Sequence, residues 1–163
     1  MNKIFKLSGA LVVAAALSAC GGGNDDDPTP SEQTGILTVT SASADGFNGI
    51  YGNGALNLTD VDKKNPIGSD PEVCTFKFDG ANRVGADGTA FGDVRYRPDA
   101  TSLYLIFLTV NGVEYSSGSP DDSVVVRDSD RIRLSAKTLT AGNGSTIRVS
   151  GVIPMRPSRP TGC

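Results

Sequence analysis

Apolar residues in this chain recur at every second position, in short runs, from Ile36 onward. That is the period of a half-buried strand, whose successive side chains alternate between two faces. The 3.6-residue period of an amphipathic helix is not sustained anywhere in this part of the chain. Ile36–Ala42 is rich in β-branched residues, and Phe47–Leu58 is interrupted by Gly49, Gly52 and Gly54, which predicts a bulged strand or two short ones. Asp60–Glu72 is polar, contains Pro66 and Pro71, and reads as a loop. In Val73–Phe78, Cys74, Phe76 and Phe78 share one face, with Thr75 and Lys77 on the other. Phe91–Arg97 is closed by Pro98. Leu103–Val110 has a single polar member, Thr109, and reads as a central strand covered on both faces. Val124–Val126 is a short strand between Asp-rich turns. Asp79-Gly80 and Asp87-Gly88 are turn signals.

Two hairpins can be placed in register. Asn111-Gly112 suits a two-residue turn with two positive φ angles, which pairs Val110 with Val113, Leu108 with Tyr115 and Thr109 with Glu114. A two-residue turn at Asn143-Gly144 would pair Thr140 with Ile147, Thr138 with Val149, Ala136 with Gly151 and Leu134 with Ile153. These residues would then lie on the side of Ile132, and Arg131, Arg133, Lys137 and Arg148 on the other. About eight or nine short antiparallel strands are expected, as an all-β sandwich or a small barrel. Residues 35–163 form one domain on this reading, long enough for its own core.

Composition narrows the chemistry. The chain has no His and no Trp, so a Ser-His-Asp or Cys-His nucleophile and any His-ligated metal are excluded. There are 15 basic and 18 acidic residues. Two of the basic residues, Lys3 and Lys6, lie in residues 1–19, and four acids (Asp25, Asp26, Asp27, Glu32) lie before residue 35. The remaining domain is nearly neutral, without the basic excess of a nucleic-acid binder. No cofactor is implied.

Residues 1–19 carry Lys3 and Lys6 ahead of an apolar run that ends at Ala19. The run has the length of a secretory signal and is too short to span a bilayer as an ordinary helix. Leu17-Ser18-Ala19-Cys20 resembles the lipobox of bacterial lipoproteins, a resemblance confined to about the first 20 residues. It implies that the leader is removed and that Cys20 carries fatty acyl chains such as palmitate, with more than one chain for stable anchoring. Gly21 in place of Asp implies, by the same resemblance, the outer membrane. Residues 20–34 read as a lipidated Cys followed by a disordered acidic spacer.

With Cys20 lipidated, Cys74 and Cys163 are left in an oxidising compartment, either bridged or as two free thiols; the bridge is expected. Asp60-x-Asp62-x-x-Asn65 lacks the Gly and Glu of a calcium loop, and Asp121, Asp122, Asp128 and Asp130 read as exposed turn acids. Arg131, Arg133, Lys137 and Arg148 form the candidate patch for an anionic partner, set against an ordinary solvated sheet face. The leading expectation is a non-enzymatic envelope lipoprotein, a binding or assembly module for an envelope protein or glycan. Two other readings stay open. One is a small hydrolase using paired carboxylates. The other is a ligand carrier with a barrel cavity.

Overall fold

The computed structural model describes residues 36–52, 56–59, 61–65, 68–118 and 123–163. The residues read as a leader (1–19) and as a lipidated Cys20 with its spacer (20–34) lie outside the described residues, as do Asp60, Asp121 and Asp122. Among the described residues eleven strands follow in chain order: β1 Ile36–Ala42, β2 Gly49–Tyr51, β3 Asn57–Leu58, β4 Asp62–Lys64, β5 Val73–Asn82, β6 Thr89–Tyr96, β7 Leu103–Val110, β8 Val113–Ser116, β9 Val124–Val126, β10 Arg131–Ala141 and β11 Thr146–Pro154. A 3-10 turn, Arg127–Ser129, joins β9 to β10. All the strands belong to one antiparallel sheet ordered β2-β1-β11-β10-β8-β7-β6-β5-β3, with β4 also on β5 and β9 on β10. The fold is all-β, as the alternation predicts. One strand was read as loop: Asp62–Lys64 is polar and exposed, so no hydrophobic alternation marks it, and pairing with β5 alone makes it a strand.

The sheet curls until its ends meet at one rim. Gly52 N donates to Asn82 O at 2.9 Å and Val84 N to Ile50 O at 2.8 Å, which bridges β2 to the chain leaving β5. Twist accumulating in one hand brings the edges together, and pairing them hides their backbone groups. One face of each long strand fills the interior, with Phe76, Phe78, Tyr96, Leu108, Tyr115 and Ile147 among its largest members. β7 is covered on one face only. Leu103, Ile106, Leu108 and Val110 are buried, while Tyr104, Leu105 and Phe107 stay partly exposed on the outer side. The expectation of a strand covered on both faces is corrected accordingly.

The Asn111-Gly112 hairpin has the expected register, with φ +49° and +81° at its two turn residues. The second hairpin does not. Gly144 N donates to Ala141 O at 2.9 Å and Ala141 N to Ser145 O at 2.8 Å, so the loop is Gly142-Asn143-Gly144. Gly144 takes the left-handed position (φ +83°) of a three-residue hairpin loop. Asn143 Oδ1 accepts from Ser145 N and Oγ, at 2.9 and 2.7 Å, which holds the loop in this form. Pairing therefore shifts by one: Leu139 faces Ile147, Thr140 faces Thr146 and Lys137 faces Val149. Leu139 and Ala141 enter the core in place of Thr138 and Thr140. A bulge then moves the pairing by one residue more, which restores the facing but not the expected partners: Leu134 stands opposite Gly151, not Ile153, and Ala136 is not paired with Gly151. Ser135 and Ala136 stand together between the Leu134–Gly151 and Lys137–Val149 pairs, and Ala136 has φ +50°. Below the bulge Ile132 and Leu134 point inward as expected, with Ile132 opposite Ile153.

The C-terminal segment straps one end of the barrel. Cys74 and Cys163 are disulfide-bonded, with Cα atoms 5.6 Å apart across 89 residues. Arg159 holds the strap through Asp130 Oδ1 and Arg156 O, and donates to Cys163 O at 3.1 Å and Arg127 O at 3.2 Å. The Tyr96 hydroxyl donates to Cys163 O at 2.9 Å. Burial pushes the Tyr96 pKa up to about 12, opposed by Arg159 and Arg127 and aided by Asp130. The folded pKa lies above the unfolded value, so the neutral phenol stabilises the fold fully below about pH 10 and loses that contribution toward pH 12. Denaturation series across this range should show an alkaline decline of about 2–3 kcal/mol. A Tyr96→Phe variant should lack it, and equal declines in both proteins would count against this role.

Candidate functional site

The outer faces of β5 to β8 form a grid of side chains that the ladder puts side by side. One row across the strands is Lys77, Asp93, Phe107 and Ser116; beside it lie Thr75, Arg95 and Leu105, and on the other side Phe91, Thr109 and Glu114. Alternation in Phe91-Gly92-Asp93-Val94-Arg95 sends the phenyl ring, carboxylate and guanidinium to the same side. Gly92 lies on the inward side, where an added Cβ would approach Phe107 O to 2.6 Å and the Phe78 ring to 2.7 Å. Close packing beneath this grid therefore requires glycine there.

Asp93 organises the surface. It accepts from Thr75 Oγ1 at 2.7 Å, and from Arg95 at 2.8 Å (Nη2) and 3.3 Å (Nε). Both guanidinium donors converge on Asp93 Oδ2, while Oδ1 takes the Thr75 hydroxyl. Arg95 is thereby held 5.0 Å from the centre of the Phe107 ring, a cation–π contact. Phe91 is 46% exposed, a large cost for a phenyl ring unless something covers it. A hollow of about 340 Å³ lies over Phe91, Phe107 and Arg95, between Lys77 and Glu114. A second of about 390 Å³ adjoins it through Lys77, Asp93 and Arg95 and reaches Thr59, Asp62 and Lys64. Together they make a shallow open trough with an aromatic floor and both signs of charge along its sides.

Two carboxylates, Asp62 and Asp93, share the second hollow. Each already has a cation: Lys64 at 3.2 Å and Arg95 at 2.8 Å. Glycoside hydrolysis places two free carboxylates on either side of one bond, and both of these are already engaged with a cation. Among the described residues, no three metal-ligating side chains cluster. Among the described residues, the interior face is packed with side chains such as Phe76, Tyr96 and Leu108.

The basic patch is split. Arg131 and Arg133 lie opposite Pro154 and Val152, on the ladder face that Arg148 also occupies. Lys137 lies opposite buried Val149, because the bulge at Ser135-Ala136 changes the parity of β10. Only Arg148 of the four is exposed. Arg131, Arg133 and Lys137 are half-buried and engaged within the chain, and Arg148 donates to Ala136 O at 3.2 Å. The expectation of one continuous exposed patch is corrected by that bulge. Asp130, read as an exposed turn acid, instead accepts from Arg159.

Sequence reasoning missed the trough. Its signal was present in the second apolar set of β7, which has no second layer to bury it, and in the alternation of Phe91, Asp93 and Arg95. Compared with family models, curated protein sequences and solved structures, the chain matches none at a significant level.

Proposed function

We propose that this chain is a non-enzymatic lipoprotein of a bacterial envelope, anchored at the outer membrane through Cys20, whose β5–β8 face docks a protein partner. The single observation that carries the docking role is the exposed Phe91, which lines one hollow with a guanidinium held 5.0 Å over the Phe107 ring. Rigid aromatic rings and arginine are the side chains that dominate protein–protein binding energy, and here a polar rim surrounds them. Charges of both signs, Lys77 and Arg95 against Asp93 and Glu114, favour a partner of mixed charge over a polyanion. The anchor half of the reading rests on the leader and the LSAC motif.

Crosslinking in intact envelopes followed by capture on the wild-type chain tests the docking half. The captured partner is expected to be lost with Phe91→Asp and with Arg95→Glu, a drop of tenfold or more for groups of this kind. It should be retained with Arg148→Ala, on the far side of the barrel. A partner retained equally by all three variants would remove the trough from consideration.

A further inference from the structure

The outer surface of the barrel carries a second apolar feature, centred on strands outside the trough. Four exposed hydrophobic residues, Val124, Ile36, Ile50 and Val84, are each 46% exposed. The ladder makes them neighbours. Val124 pairs with Arg133, Arg133 with Val152, and Val152 with Ile36, a single transverse row over β9, β10, β11 and β1. Ile50 pairs with Thr38, one diagonal step from Ile36, and Val84 N donates to Ile50 O at 2.8 Å. The result is a narrow apolar belt that runs across these strands and the β2–β5 seam. Its charged member, Arg133, is half-buried and already engaged within the chain. Residues on the neighbouring row, Thr38 and Ser150, are polar.

We infer that this belt rests on the lipid surface to which Cys20 tethers the domain. The inference relies on the lipid-anchor reading above. Its occupant follows from where the tether joins. Ile36 is both a member of the belt and the first described residue after Cys20. The 16 steps between them (36 − 20) span at most about 55 Å, whatever their conformation. Contact that would be too weak for a free domain is strengthened when the surface is held this close, because docking becomes intramolecular. Half-exposed Ile and Val side chains gain by entering the apolar boundary of the headgroups. A belt in this position turns the β5–β8 trough away from the bilayer, toward the space where a protein partner can reach it. The belt therefore fixes the orientation of the binding face as well as adding to membrane affinity.

The test uses the full chain, processed in cells and reconstituted into vesicles of phosphatidylethanolamine and phosphatidylglycerol. A photo-crosslinking phenylalanine analogue replaces Ile50, Val84 or, as the contrasting site in the trough, Glu114. Mass spectrometry of the purified chain first reports whether Cys20 is acylated; an unmodified Cys20 overturns the anchor reading and this inference with it. With Cys20 acylated, the probes at 50 and 84 are expected to crosslink to phospholipid about tenfold more than the probe at 114. Adding Ile36→Asn and Val124→Asn should reduce lipid crosslinking at 50 without changing acylation. Equal lipid crosslinking at all three sites overturns the inference while leaving the anchor standing. So does crosslinking of 50 and 84 to a second copy of the chain or to another protein in place of lipid.

Discussion

Replacing the bridge with Cys74→Ala/Cys163→Ala is expected to lower the free energy of unfolding by about 3–5 kcal/mol. The bond closes a loop across 89 residues. Chain entropy alone makes the unfolded state of so large a loop less favourable by about 4–5 kcal/mol, and measured effects run somewhat lower. The folded state loses contacts as well. Cys163 O accepts from both Tyr96 Oη and Arg159 Nε, so freeing the last residue loosens two donors. Guanidinium denaturation of the oxidised protein and the double variant gives the difference. The Tyr96 phenol, relieved of its burial, should also titrate closer to its ordinary value of 10 in the variant. Coincident unfolding curves with an unchanged Tyr96 titration would mean that the strap is held by Arg159 and not by the bond.

Leu139→Ala is expected to cost about 2–5 kcal/mol, and Thr140→Ala less than about 0.5 kcal/mol. The contrast follows from the three-residue loop. Leu139 is fully buried opposite Ile147, while Thr140 is exposed opposite Thr146. Truncating Leu139 removes apolar contact and leaves a cavity that a closed sheet can only partly collapse. With a two-residue turn the costs would be exchanged, because the one-residue difference sends every side chain of that stretch to the other face. Urea unfolding of the two single variants decides between the registers. A neutral Leu139→Ala would place Thr140 inside and overturn the loop geometry.

What the sequence by itself determined is local. Runs of β-branched and aromatic residues bounded by turn residues marked β1, β7 and β9 at their observed limits, because such runs leave little choice of element. Asn111-Gly112 set its hairpin register, since both turn residues tolerate positive φ. The absence of another plausible partner for Cys74 pointed to Cys163. Tertiary structure decided the rest. Asn143-Gly144 reads like Asn111-Gly112, yet Gly142 before it and Ser145 on Asn143 Oδ1 select the longer loop, and the bulge at Ser135-Ala136 restores the inward facing lower in the strand by shifting the pairing once more. Neither event leaves a mark on apolar periodicity over a few residues. Asp79-Gly80 became a bulge inside β5, not a turn, because pairing with β6 resumes at Ala81. The trough and the belt are assembled from strands far apart in the chain. Phe91 and Phe107, or Val124 and Ile36, become neighbours only when non-local pairing sets the strand order, and no local pattern encodes that order.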